Sequence, residues 1–155
     1  MRIGDIAPDF RLPLHTGEDF QLSRCRNKQN VVLFFYPRDF TSGCTKESCL
    51  FSSHSEDIEQ LDARIIGISS DTLASHRDFA AKYRLAYPLA SDVEKIVSRA
   101  YDALWPFGIA VRRVTYVIDR EGVVRGKKHE ELRIDRHWEY VLNVLRELKQ
   151  TAKHE

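Results

Sequence analysis

Two short runs constrain this chain more than anything else in it: Val31-Val32-Leu33-Phe34-Phe35-Tyr36 and Arg64-Ile65-Ile66-Gly67-Ile68-Ser69. Their β-branched and aromatic residues are continuous rather than alternating, so each run predicts a strand buried on both faces. Such strands need cover on two sides, and the sequence around them supplies it. Ser42 and Thr45 precede Leu50, Phe51, Ile58 and Leu61 with acids between, which predicts a helix from about Ser42 to Asp62. Phe79 and Tyr83, four apart, mark a second helix over Ser75–Tyr83. Tyr87–Ala90 reads as a short extended piece, and Ser91-Asp92 opens a helix through about Tyr101. Val114–Ile118 and Val123–Lys127 flank the turn Asp119–Gly122 as a hairpin, and Trp138, Val141, Leu142, Leu145 and Leu148 stripe a last helix from about Ile134 to Ala152. The first thirty residues are punctuated by Pro8, Pro13 and Gly17, with Asp19–Leu22 alternating as a short strand. The expected fold is α/β: a central mixed sheet covered on both faces, in one domain spanning residues 1–155.

Charge narrows the function classes. Lys and Arg number 24 against 23 Asp and Glu, for a net charge of +1, which provides no global basic field for nucleic acid or an anionic membrane. The longest apolar runs fall far short of the ~20 residues of a membrane-spanning helix. No apolar stretch with a small-residue cleavage site follows Met1, so no signal peptide is read and a cytoplasmic protein is expected. Three cysteines do not make a disulfide scaffold, and in that compartment they are reactive, metal-binding or buried.

The informative stretch is Phe35-Tyr36-Pro37-Arg38-Asp39-Phe40-Thr41-Ser42-Gly43-Cys44-Thr45-Lys46-Glu47-Ser48-Cys49. A buried strand delivers the chain to Pro37, a loop follows, and Cys44 falls in the first turn of the next helix. Unpaired N–H groups and the positive end of the dipole there favour an anion, which makes Cys44 a candidate reactive thiolate. Ser42 or Thr41 is the expected N-cap, Glu47 the partner in a capping box, and Gly43 leaves room for a ligand to approach the backbone. Cys49 follows five residues later. In an intact helix that spacing means ~7.5 Å of rise and ~140° of rotation, so the two Cα atoms stand about 9 Å apart. A disulfide needs them within about 7 Å. The pair can therefore join only if the first turns unravel, as a switch rather than a staple.

Pro37-x-x-x-Thr41-x-x-Cys44 is the peroxiredoxin signature, and the surrounding residues resemble the peroxiredoxin Q, or bacterioferritin comigratory protein, branch of that family. Gly4-Asp5-x-Ala7-Pro8-Asp9-Phe10, Ser69–Asp71, Phe79-Ala80-x-Lys82-Tyr83, Pro88-Leu89-x-Ser91-Asp92 and Arg113-x-Thr115-Tyr116-Val117-Ile118-Asp119 extend the resemblance over most of the chain. Ser42 departs from it, standing where the branch often has proline, which bears on how readily the first turn unwinds. The resemblance implies a thioredoxin-like fold and a thiol-dependent peroxidase acting on hydrogen peroxide and organic hydroperoxides. It assigns Cys44 as peroxidatic cysteine, Cys49 as resolving cysteine through an intramolecular disulfide, Thr41 as hydrogen-bond partner of sulfur and peroxide, Pro37 as shield, and Arg113 as the cation at the sulfur. It gives Glu47 a part in orienting Arg113. It implies a thioredoxin-type dithiol as reductant, no metal or other cofactor, no nucleic-acid or membrane partner, and either a monomer or a homodimer. Arg112 is the rival for the arginine role, and side-chain alternation along a strand allows only one of the two to face the site.

Other residues carry less. Cys25, in the polar stretch Ser23–Asn30, reads as a bystander with a thiol open to oxidation if exposed. The six histidines form no His-x-x-x-His or His–Cys cluster of structural-zinc type. Leu104–Ile109 is an aromatic loop suited to a pocket mouth, a partner surface or core packing. Two rival functions keep the same residues: a redox sensor that changes partners through the Cys44–Cys49 switch, and a thioredoxin-like disulfide oxidoreductase, against which the missing Cys-x-x-Cys counts.

Overall fold

The computed structural model describes residues 1–153. In chain order, strands β1 (Arg11–Pro13), β2 (Asp19–Gln21) and β3 (Asn30–Phe35) lead into helices α1 (Ser42–Ser53) and α2 (Ser55–Gln60). β4 (Ala63–Ser69), α3 (Leu73–Tyr83), β5 (Leu89–Ser91) and α4 (Ile96–Ala100) follow, and β6 (Val114–Ile118), β7 (Val124–His129) and α5 (Asp135–Lys153) complete the order. Five strands form one mixed sheet in the order β5-β4-β3-β6-β7, with β3 parallel to β4 and antiparallel to β6. β1 and β2 pair separately as an antiparallel hairpin.

The central place of β3 explains its unbroken apolar run. Val31, Leu33 and Phe35 enter one core with Ile66, Ile68, Val114, Tyr116, Phe20 and Tyr101, while Val32, Phe34 and Tyr36 enter the other with Phe51, Phe79, Val141 and Leu145. The hairpin and α4 close the first core, and α1, α3 and α5 close the second. Gly67 permits that packing: a Cβ there would stand 2.6 Å from Phe34 Cζ and 2.8 Å from a Leu89 methyl. Among the described residues no helix is long and apolar enough to cross a membrane.

Three boundaries differ from expectation. The helix predicted over Ser42–Asp62 breaks at His54 (φ −108°, ψ 13°). The run Ser52-Ser53-His54-Ser55 is poor helix material, and Ser53 Oγ instead donates to the Leu50 carbonyl at 3.0 Å. Only Ile96–Ala100 of the helix predicted from Ser91 forms. Ser91 ends β5, and the Asp92 carboxylate caps α4 from outside, accepting from Ser98 N and Ser98 Oγ at 2.8 Å each. β1 had no alternating signature; its single buried residue, Leu12, is set by pairing with Phe20 of β2.

Candidate active site

The register of the central strands brings the sequence-predicted residues to one end of the sheet. Phe35 is the last residue of β3, and it pairs with Val114, the first of β6. The segment after β3 and the arginines before β6 therefore meet at the carboxyl end of β3, where sheets of this type place ligands. Pro37, half-buried, ends the strand, and the exposed Thr41 is the N-cap of α1 with its backbone extended (φ −81°, ψ 150°). Cys44 follows in the first turn and is 1 % exposed.

Arg113 is the charged group at the sulfur: its Nη2 donates to Cys44 Sγ at 3.3 Å and its Nη1 to Glu47 Oε1 at 3.2 Å. An N–H donor of a fixed cation aimed at sulfur favours negative charge there. Arg112 turns the other way, its guanidinium 5.4 Å over the Trp105 ring and 2.8 Å from His129 Nδ1. Gly43 does leave room beside the backbone, but the guanidinium fills it: a Cβ on Gly43 would stand 3.1 Å from Arg113 Nη2. Glu47 makes no capping box; the N-cap accepts no side-chain hydrogen bond, and Glu47 is buried against Arg113 instead. The Thr41 hydroxyl donates to the Arg38 carbonyl at 3.0 Å rather than to sulfur.

The three cysteines are unbonded. Cys49 is half-buried on α1, and burial pushes its thiol above the ordinary range, which keeps it protonated while the helix stands. Cys25, expected as a bystander in a polar stretch, is buried and lies in the core on the opposite side of the sheet from Cys44. The aromatic loop divides: Leu104 packs on a core, Trp105 lies under Arg112, and Phe107 is 99 % exposed.

The structure adds a polar cluster that sequence reasoning missed. Asp39, buried in the loop between Pro37 and Thr41, accepts from Tyr36 Oη at 2.6 Å and Ser75 Oγ at 2.9 Å, and its Oδ2 stands 2.7 Å from His76 Nδ1. His76 Nε2 faces the Ala90 carbonyl at 3.0 Å, and Asp39 N donates to Asp71 Oδ2 at 2.8 Å. Asp39, Asp71 and His76 bring potential metal-ligating atoms within 4.8 Å of one another, yet these atoms already bond to each other and to Tyr36, Ser69 and Ser75. The cluster ties the loop before Cys44 to α3 and β5. A signal existed, since His76 shares a helical face with Phe79, Ala80 and Tyr83. We expect His76→Ala, which leaves a buried carboxylate short of a partner, to cost about 3 kcal/mol or more, measured by chemical denaturation. An unchanged midpoint would show that the cluster carries no stability.

A second missed residue is His137 on α5, 0 % exposed, with Nδ1 2.9 Å from Thr115 Oγ1 and Nε2 2.8 Å from the Glu130 carbonyl. Burial holds this imidazole below its ordinary value, in the neutral form that one donated and one accepted hydrogen bond require.

Residues 3–127 match the model of the AhpC/TSA family. Peroxiredoxin Q, chloroplastic, of Triticum aestivum is 38 % identical over 146 residues, covering 94 % of this chain and 67 % of the relative. The crystal structure of peroxidoxin BcpB from Mycobacterium tuberculosis superposes with a TM-score of 0.88 at 36 % identity, covering 94 % of this chain and 97 % of that one. A bacterioferritin comigratory protein of Xanthomonas campestris, described for its alkyl peroxide reduction activity, superposes at 0.85 with 28 % identity over 96 % of this chain and 98 % of that one.

Proposed function

This chain belongs to the AhpC/TSA family, in its peroxiredoxin Q branch, and from that premise we propose that its thiol-dependent peroxidase activity runs through Cys44, with Cys49 as the resolving partner. The observation that carries the reading is the 3.3 Å approach of Arg113 Nη2 to Cys44 Sγ at the first turn of α1.

The Cys44 sulfur attacks one peroxide oxygen, the O–O bond breaks, and an alkoxide or hydroxide leaves as the sulfur becomes a sulfenic acid. Arg113 and the N-terminal amides of α1 hold charge on the sulfur before attack and on the oxygens during it. Thr41 stands at the entrance, and its hydroxyl turns from the Arg38 carbonyl to the incoming peroxide. Pro37, which has no N–H of its own, covers the end of β3 and limits water at the site. The sulfenic acid then meets the Cys49 thiol, giving a disulfide and water once the first turns of α1 open. A dithiol of thioredoxin type reduces that disulfide by exchange. Hydrogen peroxide and organic hydroperoxides are both substrates on this reading.

Mass spectrometry after one equivalent of peroxide tests the assignment. A Cys44–Cys49 link is expected in the native chain. Cys49→Ser should instead accumulate sulfenic and then sulfinic acid at Cys44 and lose thioredoxin-driven turnover, while small thiols still support some activity. A link to Cys25 would refute Cys49 as resolver.

A further inference from the structure

Glu47 is the unexplained group of this site. It lies on α1 between Cys44 and Cys49 and is 1 % exposed. Oε1 accepts from Arg113 Nη1, whereas Oε2 is buried and has no hydrogen-bond partner among the described residues. His137 Nε2 lies 3.7 Å from Oε2, too far to bond, and its N–H is already engaged by the Glu130 carbonyl. The groups facing Glu47 are Arg113 ahead of β6, His137 on α5, Glu131 ahead of α5, Tyr87 ahead of β5, and Cys44 on its own helix. Of these only Arg113 is a standing cation, and it is shared with the sulfur. Arg113 gives Glu47 one nitrogen only, and a buried carboxyl with an oxygen that accepts nothing is disfavoured as an anion, so burial favours its protonated form. Burial, against the pull of Arg113, pushes the Glu47 carboxyl from its ordinary 4.5 up to about 8.

The disulfide changes that environment by necessity. An intact helix holds the Cys44 and Cys49 Cα atoms about 9 Å apart, and a bond draws them within about 7 Å. Glu47, inside that span, cannot then keep its helical place beside Arg113. We propose that Glu47 holds a proton while α1 is intact and releases it when Cys44 and Cys49 join, so that closing the disulfide is a proton-releasing step favoured by rising pH. The proposal rests on the peroxidase reading, because it needs the pair to bond. The sulfur chemistry is unaltered: sulfenic acid and thiol give disulfide and water, while the Glu47 O–H gives its proton to solvent with no electron transferred. When a dithiol returns two electrons, the re-formed helix takes that proton back.

The sign follows from linkage. Between the ordinary 4.5 and about 8 the helical site binds one proton that the opened site does not, so raising pH through this window weakens the helical site relative to the disulfide state. Below the window both states are protonated, and above it both are ionised.

The test is the pH dependence of the Cys44/Cys49 midpoint potential between pH 5.5 and 7.5, poised with oxidised and reduced dithiothreitol, in the native chain and Glu47→Gln. The amide matches the protonated acid in shape and cannot ionise. One extra proton is a tenfold change in equilibrium constant per pH unit, so the native potential should fall more steeply by about 30 mV per unit. Parallel lines overturn the proposal. Should Glu47→Gln fold poorly, infrared difference spectroscopy of the native chain at pH 6 serves instead: a protonated-carboxyl C=O band should be lost when oxidised dithiothreitol closes the Cys44–Cys49 disulfide, and a difference spectrum without that loss overturns the proposal. Dithiothreitol poises the pair without peroxide, so parallel lines sink the proton linkage alone, whereas absence of peroxide consumption sinks the functional reading alone.

Discussion

Cys44→Ser is expected to lower the second-order rate constant for hydrogen peroxide by a factor of about a thousand or more, which in a coupled assay reads as abolished turnover. A serine hydroxyl is almost wholly protonated at neutral pH and is a far weaker nucleophile than a thiolate toward an O–O bond. Geometry offers no substitute within the site. Cys49 is half-buried five residues along α1, its thiol pushed up by burial, and Cys25 lies in the core across the sheet. Stopped-flow fluorescence against peroxide concentration checks the value directly. Turnover that survives in Cys44→Ser would move the nucleophile elsewhere and dismantle the whole site, whatever the role of Arg113.

The second large effect belongs to the arginine pair. Arg113→Met should cost about a hundredfold to a thousandfold in the same rate constant, the usual loss when one fixed donor to a developing negative charge is removed. The guanidinium reaches Cys44 Sγ at 3.3 Å and Glu47 Oε1 at 3.2 Å with two different nitrogens, a fork that a lysine cannot reproduce. Arg113→Lys should therefore recover only part of the rate. Arg112→Met is the internal control, because that side chain lies over Trp105 and against His129; its rate constant should stay within about twofold of the native value. Circular dichroism on each variant separates lost chemistry from lost fold. Equal losses in Arg112→Met and Arg113→Met would mean that general positive charge, not a placed donor, supports the reaction.

Much of this was legible in the chain because the relevant signals are local. The two continuous apolar runs became β3 and β4, neighbours in the sheet with both faces covered. The hairpin after Val114 and the stripe of the last helix formed within a few residues of expectation. Cys44 at a helix N-terminus, five residues before Cys49, could be read from one stretch of fifteen residues. The misreadings have local causes too: at His54 a serine-rich run broke a helix that apolar spacing alone would continue, and Asp92 capped α4 from outside it.

The rest depends on chain segments far apart in sequence. Nothing near Asp39 announces His76, 37 residues away, and the pairing of Glu47 with Arg113, 66 residues away, was expected only from the family resemblance, not from any local pattern. Glu47 illustrates the limit: a part in a capping box was expected of it, but it lies six residues from the Thr41 N-cap where such a box needs three, and the fold buries it against Arg113 because the β3–β6 register brings that cation to the first turn of α1. Sequence alone determined most of the elements and singled out Cys44 and Cys49 as candidates, since periodicity, caps and helical spacing are properties of neighbouring residues. The tertiary structure put Arg113, which the resemblance had assigned, at the sulfur, and it alone decided where the loop is anchored and that one carboxyl oxygen lies buried without a partner among the described residues. Those are consequences of strand pairing and of removal from water, which no local pattern encodes.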